Sequence, residues 1–382
     1  MNIDIVLGAL FGDEGKGSTV NFLAKEAVNP LIVRFNGGHQ VGHTVVHDEN
    51  RHVFSNFGSG TLQNIPTYWS KYCTVNPVGV YNESKALNEL GIKPQIYFDE
   101  NAMITTPFDI VINHRLEKNN NHGSVGVGFG TTIQRNEDHY RLYVRDLKYP
   151  SIRDAKLESI RLNYYNLAYC ESDTENENTF TNRMKTIVDE FINACDYLVN
   201  NFNIVNNPMT FNFSEFDLIF EGGQGILLDM DYGFFPNVTR SNTTSKNVFK
   251  FIDDNKLKVN SINTYYVTRT YQTRHGNGFM TNEILDTSYI TENPNETNTT
   301  NKYQGQFRKT VLDLDLLRYS LDCDNYHNIH SNKMLVVTCL DQVPNEIPVT
   351  INGNVNVVQP KNIGDYFSLD TITSKSEKGI GF

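Results

Sequence analysis

Three glycine-rich segments hold the residues whose types and spacing could do chemistry. In Gly12-Asp13-Glu14-Gly15-Lys16-Gly17-Ser18, glycines permit close backbone approach, and the start of a following helix offers unpaired N–H donors to a phosphate. Lys16 would neutralise that phosphate. The segment is not a Walker A loop, because Leu10 stands where that pattern needs its first glycine and Gly17 replaces the Ser or Thr. Magnesium therefore needs another ligand, and Asp13 is the candidate. The bland alternative is a polar turn that caps a helix. The second segment, Asn36-Gly37-Gly38-His39-Gln40-Val41-Gly42-His43-Thr44, sets His43 in a backbone built for close approach. His47 and His52 have no such setting and read as ordinary packed or solvated histidines. The third is Glu221-Gly222-Gly223-Gln224-Gly225, which continues through Leu228-Asp229-Met230-Asp231-Tyr232-Gly233 to Pro236-Asn237-Val238-Thr239-Arg240-Ser241-Asn242-Thr243-Thr244.

The elements that must position these loops are legible as apolar runs. Ile3–Leu7 ends at Gly8 and is followed by the first loop and a helical stretch from about Gly17 to Ala27, giving strand, loop and helix. Leu31–Phe35 precedes the second loop and Asp217–Phe220 the third, so all three loops rise from strand ends. Further runs at Gln95–Phe98, Tyr265–Thr268 and Met334–Thr338 alternate with helical patterns around 83–90, 151–169, 181–201, 244–253 and 309–321. The alternation predicts an α/β fold with a mostly parallel central sheet and helices on both faces. Segments 117–136, 202–214 and 293–302 read as irregular, the last being rich in Asn and Thr. Composition does not shift sharply, so one continuous domain over residues 1–382 with loop insertions is expected.

A hydrophobic fraction of 39% and a charged fraction of 20% are those of an ordinary globular protein. The net charge of -11 argues against a nucleic-acid partner, since phosphate neutralisation along a strand needs clustered Lys and Arg. It does not exclude nucleotides, which helix N-termini, a metal and a few cations can hold. The five cysteines are scattered, odd in number and never spaced Cys-x-x-Cys, so neither a disulfide framework nor a zinc knuckle is indicated. The opening residues lack a basic region and no apolar run reaches spanning length. A cytoplasmic protein with no membrane partner is expected.

Taken in order, the three glycine-rich segments resemble the adenylosuccinate synthetase family. Its hallmarks are a GDEGKG loop, a GGHxxGHT loop and an EGxQG…LDxDxGxxPxVTxSNTT segment. Further similarity runs through 123–147 and Thr338-Cys339-Leu340-Asp341. The resemblance implies a ligase that phosphorylates the purine 6-oxygen and lets L-aspartate displace it, giving adenylosuccinate from IMP. Asp13 then takes the proton from purine N1 and binds Mg2+, and the Gly42 carbonyl joins the metal. His43 stabilises the transferring phosphoryl group. Gly12, Glu14, Gly15, Lys16, Gly17 and Thr44 belong to the triphosphate site, Gln224 reads the purine 6-position, and Thr239 contacts the substrate phosphate. The chemistry is coherent, because a 6-oxo group leaves poorly until phosphorylated and positioned charge supplies most of the acceleration.

Departures from the family pattern matter as much as the matches. Gln40 stands where the family has asparagine at the phosphate. Ser124 matches one of two adjacent phosphate-binding threonines and Val125 replaces the other. Where the family's homodimer sends an arginine to the neighbouring nucleotide, the chain has His139 and Tyr140 with Arg141 adjacent. The aspartate loop corresponds to Asn298–Lys309, with Thr299, Thr300 and Arg308 as carboxylate partners. Asp341 keeps the acceptor that reads guanine, but Cys339 replaces the lysine beside it, so GTP and ATP both stand as donors. The part after Asp341 is short, as in compact archaeal and viral members. Some viral members take dGMP and make 2-aminoadenylosuccinate, acting in the host cytoplasm; many of those replace the first-loop Asp-Glu by Ser-Thr. Asp13-Glu14 is retained here, which keeps IMP as the default. A non-catalytic nucleotide switch is the reading from another class, and it has no use for Asp13, His43 and Gln224 together.

Overall fold

A computed structural model describes residues 1–120, 124–168, 177–206, 210–298, 305–376 and 379–381. The apolar run after Asn2 forms the strand Asn2–Gly8, almost wholly buried. A strand that hides both faces belongs in the middle of a parallel sheet. It pairs in parallel with Asp217–Gly225 on one side and Ser261–Arg269 on the other. The ten-stranded sheet runs Gly379–Gly381, Asp370–Ser376, Asn332–Thr338, Ser261–Arg269, Asn2–Gly8, Asp217–Gly225, Pro30–Arg34, Thr67–Trp69, Ile96–Asp99, Asn203–Val205. Every pairing is parallel except the last hairpin between Asp370–Ser376 and Gly379–Gly381. The expected α/β architecture is the one observed.

Side-chain alternation puts helices on both faces. Ile3, Ile5 and Leu7 share one core with Val248 and Phe251 of the helix Lys246–Asp254 and with Leu316 and Leu317 of the helix Leu314–Asn325. Val6 points the other way, into a core with Val20, Leu23 and Ala24 of the helix Lys16–Glu26. A third core gathers the long helices Pro150–Ala168 and Glu177–Asn201 over the outer strands. Because the chain fills the sheet outward from Asn2–Gly8, returns at Asp217–Gly225 and then builds the other half, the strand order reverses around the centre. In open parallel sheets the crevice at the carboxyl ends near such a reversal is where ligands bind.

Three elements differ from the sequence reading. The helix expected over 309–321 begins only at Leu314, because Lys309-Thr310-Val311-Leu312 extends the strand Phe307–Asp313, which pairs antiparallel with Tyr271–His275. Asp313 marks the change: its carboxylate accepts the N–H groups of Asp315 (3.0 Å) and Leu316 (3.1 Å) as an N-cap. The 117–136 stretch is less irregular than expected, since it holds the end of the helix Pro107–Asn120 and most of Phe129–Glu137. Part of 202–214 is the edge strand Asn203–Val205.

Candidate active site

The ends of the central strands bring the three glycine-rich loops together. Asn36 clamps the third loop from the second: its Oδ1 accepts the Gly223 N–H at 2.7 Å and its Nδ2 donates to the Gly223 carbonyl at 3.2 Å. The Leu227 N–H donates to the Leu10 carbonyl at 2.9 Å, tying the third loop to the first. Gly225 is required at this crossing, since a Cβ there would lie 2.2 Å from Leu10 O and 2.5 Å from Gly12 N. His39 anchors the second loop to the 124–128 segment through Nε2, 2.8 Å from the Val127 carbonyl. The loops enclose a cleft of about 800 Å³ that Asp13, His43 and Gln224 all line.

The first loop presents an open helix end. Gly15 caps the helix Lys16–Glu26 in a left-handed conformation without any side-chain cap, so the first N–H groups of that helix are left for a ligand at the cleft. Glu14 is turned inward, its Oε1 accepting the N–H groups of Leu10 (2.6 Å) and Gly12 (3.2 Å), so it shapes the loop. Lys16 lies 3.6 Å from Glu14 Oε2. Burial raises the Glu14 pKa while Lys16 opposes the rise.

Asp13 and Gln224 both adopt positive φ, 62° and 63°. Such backbone strain in a non-glycine residue costs about 1–3 kcal/mol and persists only where neighbours enforce it. At Asp13 the enforcing bonds are Arg269 Nε to the Asp13 carbonyl (2.5 Å) and Thr273 Oγ1 to the Gly12 carbonyl (3.1 Å). The Gln224 Oε1 is buried with no partner among the described residues, and so are both side-chain polar atoms of Gln40. Buried polar atoms left unpaired are costly unless a ligand completes them.

His43 is fixed from behind. Its Nδ1 lies 2.5 Å from Glu221 Oε1, and Glu221 also accepts the Ser59 N–H (3.0 Å) and hydroxyl. The fully buried Arg34 guanidinium, 5.1 Å over the Trp69 ring, adds positive charge on the same side. Burial alone would raise the Glu221 pKa, but His43, Arg34 and Ser59 outweigh it and hold the carboxyl down at about 2. For His43 burial pushes the pKa down, Glu221 pushes it back up, and Arg34 and Lys16 lower it further. With Nδ1 committed, Nε2 is the free nitrogen, buried and unpartnered among the described residues. Gly17 makes the arrangement possible: a Cβ there would sit 2.8 Å from His43 Cβ and 3.0 Å from Ser59 Oγ.

Most other residues singled out in the sequence also border the cleft: Gly12, Glu14, Gly15, Lys16, Gly17, Gln40, Gly42, Thr44, Ser124, Val125, Thr239 and Asp341. The Ser124 hydroxyl is already engaged with Asn113 (3.0 Å). Arg308 is not in the cleft wall; its guanidinium donates to Glu283 (2.5 Å) and to the Gly278 carbonyl (2.9 Å). Thr299 and Thr300 lie outside the described residues. The guanidinium groups that do border the cleft include Arg269 and Arg274, which the sequence reading passed over. Burial, with Arg308 nearby, pulls the Arg274 pKa down to about 10. Their signal was the run Arg269-Thr270-Tyr271-Gln272-Thr273-Arg274-His275 directly after a predicted strand. Glu221, Ser59 and His275 were missed because their partners are distant in sequence.

No group of three or more His, Cys, Asp or Glu suited to a metal occurs among the described residues. Magnesium bound with a nucleotide needs no such cage, since one carboxylate, a carbonyl and phosphate oxygens suffice. Asp13, 26% exposed in the cleft, and the exposed Gly42 backbone are all-oxygen donors of that kind. No helix among the described residues is long and apolar enough to cross a membrane.

A parallel sheet whose cleft joins an open helix end, a carboxylate and a buttressed imidazole is the frame of an α/β enzyme. The adenylosuccinate synthetase sequence model matches residues 5–376. The chain is 31% identical to adenylosuccinate synthetase of Buchnera aphidicola subsp. Baizongia pistaciae, over 89% of this chain and 79% of that one. It is 30% identical to the enzyme of Buchnera aphidicola subsp. Schizaphis graminum, over 100% and 88%. The fold is shared with fully ligated adenylosuccinate synthetase from Plasmodium falciparum (TM-score 0.76, 18% identity, 99% and 98% covered). It is shared also with cyanophage S-2L succinoaminodeoxyadenylate synthetase bound to dGMP and dATP (TM-score 0.60, 13% identity, 99% and 93% covered). The chain belongs to the adenylosuccinate synthetase family, and with it to the ligases that form a carbon–nitrogen bond.

Proposed function

We propose that the chain activates the 6-oxygen of IMP with the γ-phosphoryl group of a nucleoside triphosphate, and joins L-aspartate to carbon 6, releasing nucleoside diphosphate, phosphate and adenylosuccinate. The observation that carries this reading is that Asp13, His43 and Gln224 line one cleft with the open helix end of the phosphate loop. Asp13 takes the N1 proton, which drives charge onto O6 for attack on the γ-phosphorus. Gln224 holds the 6-position. His43 Nε2, aligned by Glu221, faces the transferring phosphoryl group. The amine of aspartate then forms the bond to C6 as the C6–O bond breaks and phosphate departs. Asp13 and the Gly42 carbonyl would hold Mg2+, which would offset the charge of the triphosphate.

Gln40, Thr239, Ser124 and Val125 would face the substrate phosphate, while Arg308 with Thr299 and Thr300 would serve aspartate. Thr44 supports that placement, since its Oγ1 lies 2.9 Å from Thr297 Oγ1 beside the loop. Asp341, at the cleft with Thr338 and Cys339, favours a guanine base through its acceptor; ATP is the other donor, because Cys339 supplies no stem to cover a base. A second substrate reading rests on the shared fold with a phage enzyme whose structure holds dGMP: dGMP carries the same N1–H and O6, and its 2-amino group needs only room and an acceptor. We place the enzyme in the cytoplasm as a homodimer. The test offers IMP, GMP and dGMP against GTP and ATP with aspartate and magnesium, and reads product mass. Adenylosuccinate from IMP is the expected product. The 2-amino product from dGMP alone would replace the substrate assignment, and phosphate release without aspartate would remove the ligase reading.

A further inference from the structure

The residues proposed above to face the substrate phosphate, Gln40, Ser124, Val125 and Thr239, are all uncharged. A phosphate monoester carries about 1.5–2 negative charges at pH 7, and drawing an anion out of water is costly unless a counter-charge meets it. Glu117 and Asp138, which border the same cleft, add to that need. Other cations of the cleft are engaged elsewhere. Lys16 stands beside Glu14, Arg269 holds the Asp13 carbonyl and Glu296, Arg274 holds the carbonyls of Phe279 and Asn237, and Arg51 donates to the Asn295 carbonyl.

Arg240 directly follows Thr239 and borders the cleft itself. Its stem crosses the first turn of the helix Phe129–Glu137, the turn that the 124–128 segment leads into: a Cβ on Gly130 would meet the Arg240 Cδ at 3.7 Å. Farther along that helix its Nη1 donates to Gln134 Oε1 at 2.6 Å and its Nη2 to Glu137 Oε2 at 2.7 Å. Gly130, Gln134 and Glu137 lie on one stripe of the helix, four and three residues apart. The ion pair is open to solvent, 42% exposed at Arg240 and 55% at Glu137, and exposed pairs of this kind hold weakly. A guanidinium fork fits two phosphate oxygens as well as it fits a carboxylate, and a phosphate brings more charge to it.

We infer that Arg240 is the cation that receives the 5′-phosphate of the purine monophosphate, leaving Glu137 for phosphate oxygens as the substrate enters; the inference rests on the ligase reading above. Glu137 is the resting partner of the guanidinium, and no covalent bond changes in the exchange. Arg240 therefore acts on capture of the monophosphate and not on transfer of the γ-phosphoryl group. Arg115, two residues beyond the Asn113 that bonds Ser124, is the rival guanidinium at this end of the cleft. Arg240 is favoured because it is joined to Thr239 and its partner carboxylate is an exposed one.

The test uses the full chain. Wild type is first offered IMP, GMP and dGMP with triphosphate, magnesium and aspartate; turnover with none of them would remove the ligase reading itself, and the monophosphate that is turned over becomes the probe. With that probe, Arg240→Met is expected to raise the monophosphate KM about ten- to a hundredfold, the cost of losing a charged hydrogen-bond partner. Its kcat and its KM values for triphosphate and aspartate should change less than about threefold. Glu137→Gln, which loosens the resting partner, should leave the monophosphate KM unchanged or lower it, whereas a mere brace between loop and helix would weaken in both variants alike. A monophosphate KM in folded Arg240→Met within about threefold of wild type, an equal rise in Glu137→Gln, or a rise in Arg115→Met alone overturns the inference. Should Arg240→Met not fold, Arg240→Lys decides: an ammonium keeps the charge but not the fork, so its monophosphate KM should rise at least about threefold with kcat retained, and an unchanged KM refutes the assignment.

Discussion

Replacing Gly17 by Ala separates the chemistry from the fold. The added methyl would stand 2.8 Å from His43 Cβ, 3.0 Å from Ser59 Oγ and 3.3 Å from Val45 Cγ2. Carbon atoms in contact prefer about 3.5–4.0 Å, so His43 and the helix start must part by about 0.7–1.2 Å. A displacement of about 1 Å at a reacting group costs on the order of 10² in rate. Stability should fall by no more than about 2 kcal/mol, because crowding costs about 1–3 kcal/mol while alanine in a helix returns about 0.8–1.0 kcal/mol over glycine. The backbone N–H of residue 17 survives, so triphosphate binding should weaken less than turnover. The assay is aspartate-dependent phosphate release at saturating substrates, beside a thermal melt and nucleotide titration of the same preparation. A folded Gly17→Ala enzyme that keeps its full kcat would refute the claim that the helix start and His43 must touch this closely.

Three further outcomes follow from the site. Glu221→Gln should reduce kcat by at least tenfold and change acid stability: the wild-type carboxyl falls from 4.5 to about 2 on folding, a contribution of about 3 kcal/mol. That contribution is complete above about pH 4.5 and is lost as pH drops towards 2, so denaturation midpoints of wild type and variant should converge over this window. Asp13→Asn and His43→Asn should each lower kcat by about 10²–10⁴ with unchanged circular dichroism, and full activity in either would overturn its assigned role. Asp341→Asn should raise KM for GTP by about ten- to a hundredfold, as loss of a charged acceptor costs about 1.5–3 kcal/mol, while KM for ATP stays within about threefold; equal effects on both would deny Asp341 a base-reading role.

What the sequence disclosed and what it concealed divide along the range of the forces involved. Ile3–Leu7 and Met334–Thr338 were readable because strands buried on both faces must be continuously apolar. Thr67–Trp69 has three residues and no period to detect. Phe307–Asp313 looked helical because Leu312, Leu316 and Leu317 suit that spacing, but pairing with Tyr271–His275 decides its first half. The loop residues Asp13, His43 and Gln224 stood out through their glycine neighbours, which report local backbone demands. Their supports did not: Glu221 lies 178 positions from His43, and no local pattern records a tertiary pair. Arg308 is a like case: its chemistry was readable, but not that its Nη1 and Nη2 donate to Glu283 and the Gly278 carbonyl, 25 and 30 positions away.

The account turns on the purine 6-oxygen becoming a phosphate ester before nitrogen arrives, held between Asp13 and His43. Substrate carrying ¹⁸O at carbon 6 tests this directly by mass analysis of the inorganic phosphate released with aspartate present. The structure predicts one ¹⁸O in each phosphate, transferred with the broken C6–O bond. Unlabelled phosphate, with the isotope left in the purine or lost to water, would contradict it.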